Sequence, residues 1–192
     1  MKLYRFFYWA VAVIVLTSCT SRENQSHSQA DRTKQSQKLV TLDKNFKMVM
    51  GQTIYVPVYS HIYHQDKKQT FDLAATLSIR NIDLGNPIVI TSVRYYDSDG
   101  KLVKKYIEHP IEIAALASVD FVVDTNDTSG GSGAKFIVEW VAQTEVSEPA
   151  IEAIMIGSSF QQGISFISPG RVIKSSNDRK PSASVPSPGK SY

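Results

Sequence analysis

Between Thr70 and Arg80 the chain places Phe71, Leu73, Ala75, Leu77 and Ile79 at strict intervals of two, with Asp72, Thr76, Ser78 and Arg80 between them. A period of two is the geometry of a strand, whose successive side chains point to opposite faces, and a strand with one apolar face needs a second layer to cover it. Residues 81–87 read as a turn, and 88–96 as the next strand. Asp97-Ser98-Asp99-Gly100 then reads as a hairpin turn, with 101–107 returning. Further strands are predicted over 118–124, 134–143, 150–157 and 163–172, with 52–60 opening the series. Prolines at 57, 87, 110, 149 and 169 leave little room for a long helix. The expected fold is therefore all-β, an antiparallel immunoglobulin-like β-sandwich of about eight strands. The Cys–Trp–Cys hallmark of antibody domains is absent, so the likeness is one of architecture. Trp140 shares a face with Phe136, Val138 and Ala142 and reads as a core residue. Pro57, unable to donate to a ladder, places the opening strand at a sheet edge.

The single cysteine, Cys19, fixes an expected address. Lys2 and Arg5 precede an apolar run from Phe6 to Leu16. That run is about half the ~20 residues needed to span a bilayer. Small residues Thr17 and Ser18 follow, then Cys19, in an order that looks like a bacterial lipobox. Residues 1–18 are thus expected to be a lipoprotein signal peptide, and Cys19 the acylated N-terminus of the mature chain. The lipid on Cys19 makes the membrane the first expected partner, because two or more acyl chains anchor stably where one does not. The expected location is the bacterial cell envelope, facing the periplasm. Thr20 in place of Asp favours the outer membrane where sorting is of the enteric type. With no second cysteine, the exported domain has to hold together by its core alone.

The charge is unevenly spread. The total is +3, with a pI near 8.9. Residues 46–173 nevertheless carry ten bases against fourteen acids, a net −4, and the excess of positive charge lies at both ends. Such a domain leaves no electrostatic footprint for nucleic acid, and none is expected as a partner. Residues 19–45 are polar with few large apolar side chains and read as a flexible tether, with a reach of roughly 25–30 Å for a coil of about 25 residues. Residues 174–192, with prolines at 181, 186 and 188, read as a disordered tail. The sandwich is assigned to 46–173, long enough to bury about two-thirds of its surface.

Several runs resemble one family. The stretch Gly51-Gln52-Thr53-Ile54-Tyr55-Val56-Pro57-Val58-Tyr59-Ser60-His61-Ile62-Tyr63 is followed by Leu77-Ser78-Ile79-Arg80-Asn81 and Tyr95-Tyr96-Asp97. Gly130-Gly131-Ser132-Gly133-Ala134-Lys135-Phe136-Ile137-Val138-Glu139-Trp140 and Gly163-Ile164-Ser165-Phe166 complete the set. Together they resemble an uncharacterised domain of unknown function found in bacterial exported proteins and lipoproteins. The resemblance implies export and a sandwich-like fold, and it implies no activity.

Candidate chemistry concentrates around His61. His61 and His64, with distant His109, are candidate metal ligands, since two imidazoles suit Zn²⁺ or Cu²⁺. Positions three apart on a strand point to opposite faces, which opposes a simple pair. The run Asp124–Gly133 offers oxygen ligands for Ca²⁺ but lacks an EF-hand pattern. Gly130-Gly131-Ser132-Gly133-Ala134 approaches a nucleophile elbow, yet it runs into a strand where an elbow needs a helix. No catalytic residue is assigned, no cofactor is expected, and a small-molecule ligand cannot be named from these residues. Tyr55, Tyr59, His61 and Tyr63 form the candidate binding surface for an envelope protein partner, on the expected Pro57 edge.

Overall fold

The computed structural model describes residues 37–42, 46–64, 66–159 and 162–176. Among the described residues thirteen strands build an antiparallel, sandwich-like all-β fold. In chain order they are β1 (Gln37–Leu39), β2 (Met50–Val58), β3 (His61–His64), β4 (Gln69–Asp72) and β5 (Ala74–Arg80). Next come β6 (Ile88–Tyr96), β7 (Leu102–Lys105), β8 (Ile111–Ile113) and β9 (Ser118–Val123). The last four are β10 (Ala134–Ala142), β11 (Ala150–Ser159), β12 (Gln162–Pro169) and β13 (Arg171–Ser175). A seven-stranded sheet runs β1-β8-β6-β10-β2-β13 with β7 on β6, a four-stranded sheet runs β12-β11-β5-β9, and β3 pairs β4 in a separate hairpin.

One apolar core lies between the two large sheets. From the seven-stranded sheet it takes Ile54, Val56, Ile90, Tyr95, Phe136, Val138 and Trp140; Leu77, Ile79, Val119, Ala153 and Met155 come from the other. Trp140 is 1% exposed, the core position its strand pattern predicts. The alternation works as expected in β10, where Ala134, Phe136, Val138, Trp140 and Ala142 are buried and the residues between them half-buried.

The Asp97–Gly100 hairpin turn forms as the sequence indicates. Asp97 receives hydrogen bonds on Oδ1 from the Asp99 and Lys101 amides, at 3.0 and 2.8 Å, and Gly100 has φ +83°. The preceding connection, 81–87, is held by two side chains. Buried Asn81 donates from Nδ2 to the carbonyls of Asn86, Ile113 and Ala114. Asp83 accepts from the amides of Gly85, Asn86 and Ser147, which hold its carboxyl down at about 2.

Four expectations need correction. The Thr70–Arg80 run is two strands, because the chain changes partners at Leu73: β4 pairs β3, whereas β5 pairs β11 and β9. The 163–172 run also divides, with β12 in one sheet and β13 in the other. The opening strand is internal, paired with β10 on one side and β13 on the other. Pro57 is tolerated there because the β13 ladder ends at Tyr55 and leaves that flank of Pro57 unpaired. Finally, the segment read as tether already forms β1 at Gln37–Leu39 against β8, and the sheet continues through Ser175 into the segment read as tail. Residues 1–36, 43–45 and 177–192, on which the expected signal peptide and Cys19 fall, lie outside the described residues.

Gly170 is the corner between the sheets. Its amide donates to the Ile151 carbonyl at 2.8 Å, and a Cβ at that position would stand 2.6 Å from Ile54 Cγ2 and 2.7 Å from that same carbonyl. Gly170→Ala is expected to destabilise the domain by about 1–3 kcal/mol, through overpacking that the backbone oxygen cannot relieve. A smaller loss in denaturant-induced unfolding would show that the corner opens freely.

Tyr95 supplies a second test. Its ring is fully buried against Phe136, with centroids 5.0 Å apart. Its hydroxyl lies near Ser60 without a well-formed hydrogen bond. Burial, with a smaller contribution from the Asp127 charge, pushes the phenol up to about 12 from 10.0. The unfolded chain therefore ionises this group first, and stability falls as pH rises from about 10 to 12. Tyr95→Phe should flatten that alkaline loss in melting curves while changing neutral-pH stability by no more than ~1 kcal/mol. Tyr106, pushed in the same direction by burial, accounts for the slope that remains.

Candidate functional site

The β3–β4 hairpin stands apart from both sheets, and its turn needs two left-handed residues, Asp66 and Lys67, at φ 54° and 66°. Register places His61 opposite Asp72, Ile62 opposite Phe71, Tyr63 opposite Thr70 and His64 opposite Gln69. His61, Tyr63, Thr70 and Asp72 therefore share one face, and Ile62, His64, Gln69 and Phe71 the other. Ile62 and Phe71 pack on the core and seat the hairpin. The β11–β12 hairpin comes alongside, its tip paired through Gly157–Ile164 and Ser158–Gly163. Between the two hairpins lies a groove of about 440 Å³, lined by Ile62, Tyr63, His64, Phe71 and residues 162–164. Tyr63 is 53% and Ile164 38% exposed, so apolar surface stays open to solvent at this end of the molecule.

The four residues expected to form one binding surface are divided by the fold. His61 and Tyr63 stay together, their rings edge-on with centroids 5.5 Å apart. Tyr59 turns to the core and meets the Phe166 ring edge-on at 5.7 Å, so it supports the site from beneath. Tyr55 lies on the outer face of the seven-stranded sheet, flanked in register by Ile137 and Arg171. Phe71 and residues 162–164 join the groove, although nothing in their local sequence marks them as neighbours of Tyr63.

The metal trio does not assemble. His109 sits in the β7–β8 connection and lines a separate depression with Pro110 and residues 39–42. His61 and His64 are on opposite faces of β3, and among the described residues no group of three or more His, Cys, Asp or Glu side chains could hold a metal ion. The Asp124–Gly133 loop has other work. Ser60 Oγ donates to the carbonyls of Thr128 and Gly131, at 3.3 and 3.1 Å, and Ser98 Oγ donates to that of Gly130 at 3.1 Å. Asp127 accepts from the Ser129 amide and hydroxyl. A Cβ on Gly130 would fall 1.9 Å from the Tyr95 hydroxyl, so this glycine lets the loop close over the buried ring. Of the glycines that resemble a nucleophile elbow, Gly130 is accounted for by this contact, and Gly131 by its φ of +74° and a Cβ position 2.6 Å from Ser98 Oγ.

The groove is an apolar recess with an imidazole and a phenol at its rim. Such a lining accepts an aliphatic or aromatic side chain and orients it with one or two polar contacts. In comparisons with known proteins, a family model described as "Protein of unknown function (DUF3124)" matches residues 51–173. No curated protein matches the chain. A solved structure titled "Crystal Structure of Thermotoga maritima 1070" is similar at 12% identity and a TM-score of 0.38, over 62% of this chain and 92% of that one.

Proposed function

The chain belongs to this family of unknown function, and from that premise we propose that it is a lipid-anchored protein of the bacterial cell envelope whose sandwich is a non-enzymatic binding module. The open groove between the β3–β4 and β11–β12 hairpins carries the reading. Exposed apolar side chains in a recess favour a protein partner, because a wet aliphatic surface gains free energy when another apolar group covers it. The anchor is supported by the Leu16-Thr17-Ser18-Cys19 motif behind a short apolar run. The non-enzymatic reading is supported by the position of both candidate serines: Ser132 precedes β10 and Ser165 lies within β12, and neither stands at a strand-to-helix turn.

Photo-crosslinkers placed at Tyr63 and Ile164 in native membranes are expected to capture the same neighbour, and the exposed change Ile164→Asp to abolish the capture from Tyr63. A crosslinker at Val122 on the four-stranded sheet should not capture it. A chain that yields no shared neighbour from 63 and 164 would remove the groove from consideration. Separately, on membranes washed at high salt to strip charge-held protein, Cys19→Ser should release the domain or leave an uncleaved precursor, with the melting temperature of the domain unchanged. Retention on the salt-washed membrane after signal cleavage would rule out the lipid anchor.

A further inference from the structure

The net −4 of residues 46–173 conceals a face of opposite sign. Register sets Lys105, Arg94, Ile137, Tyr55 and Arg171 side by side across β7, β6, β10, β2 and β13, on the face turned away from the core. Neighbouring rows add Tyr96, Lys135 and Pro57 on one side and Ser92, Glu139, Thr53 and Lys174 on the other. With strands ~4.8 Å apart, the five-strand row spans about 19 Å. Its one carboxylate, Glu139, is paired with Arg94; the other acid on this sheet face, Glu112, is paired with Lys38 at 3.5 Å. Lys105, Arg171 and Lys174 are exposed and belong to neither of the ion pairs found among the described residues. Arg94 also lies over the Tyr96 ring at 5.9 Å, and Tyr55 and Tyr96 are half-buried on the same face.

We infer that this outer face of the seven-stranded sheet is a membrane-docking surface, and that its occupant is the headgroup layer of an anionic lipid bilayer. A bilayer is broad and negatively charged, and this face is broad and positively charged. Basic side chains within a Debye length of an anionic surface are attracted to it, and tyrosine, apolar in body and polar at its tip, suits the headgroup region. The acidic surplus of the domain is left on its other surfaces, with Asp120 and Glu152 on the four-stranded sheet. The inference rests on the envelope location proposed above. It adds a second, electrostatic membrane contact that orients the domain.

The test uses the full chain carrying Cys19→Ser, so that no acyl chain takes part. It is mixed with vesicles of phosphatidylcholine alone, or of phosphatidylcholine and phosphatidylglycerol in equal parts, and sedimented. Binding should be stronger to the mixed vesicles and fall as salt rises. Since each basic residue near the surface contributes about fivefold, Lys105→Glu/Arg171→Glu/Lys174→Glu should lose roughly a hundredfold or more. Lys67→Glu/Lys68→Glu/Arg80→Glu carries the same charge change away from the face and should lose little. The three altered side chains are exposed, and a melting curve verifies that the variant is folded; in the unaltered chain, vesicles should also protect Lys105 and Lys174 from acetylation, but not Lys67 and Lys68. Equal binding to both vesicles, equal loss in the two triple variants, or capture of duplex DNA without capture of vesicles would each overturn the inference. Failure of the anchor would appear as retention in the release experiment on Cys19, which this assay does not touch.

Discussion

Strand β10 is the member on which the larger sheet depends. It pairs along nearly its whole length with β2 on one side and β6 on the other, and every second side chain, from Ala134 to Ala142, is buried. Trp140 and Phe136 are among the largest fully buried residues. A charged residue at either site would leave an unpaired charge in the core and disturb both neighbouring ladders together. The outward residues of the same strand, Lys135, Ile137 and Glu139, form the middle of the basic face. One strand thus fixes the core on one side and the surface chemistry on the other, through the alternation of the pleat.

Much of this architecture can be read from the sequence wherever a strand is long and half-buried. The alternations at 70–80 and 134–143 give β5 and β10 with the correct inward residues. The short strands β1, β3 and β8 escape such reading, because three or four residues carry no periodicity that separates a strand from a loop. The division at Leu73 and the corner at Gly170 are decided by which sheet the chain meets next, a long-range matter. The same limit applies to function. His61 and Tyr63 were visible as neighbours in sequence, whereas residues 162–164 reach the groove from about a hundred positions away. The basic face is hidden more completely, because its cations come from four strands and the domain's total charge has the opposite sign.

Glycine-rich and serine-rich stretches draw attention as catalytic loops, and here a packing requirement explains one of them. Tyr95 fills the core but carries a hydroxyl that has to be roofed by backbone, and only a residue without a Cβ fits over it at Gly130. Ser60 and Ser98 then hold that roof by hydrogen bonds to its carbonyls. The hydroxyls are spent on structure, at one end of β2 and at the β6–β7 turn.

The position of β13 has a consequence for the order in which the molecule is made. Among the described residues its strand is the last in sequence to join the larger sheet, yet it covers the free flank of β2, one of the earliest. Until Arg171–Ser175 is present, β2 offers an open row of backbone donors and acceptors to any other strand nearby. A chain that emerges N-terminus first, from a ribosome or through a pore, therefore keeps this sheet unfinished until Ser175 has passed. The edge of β2 stays open through all of that interval, and closes when β13 arrives.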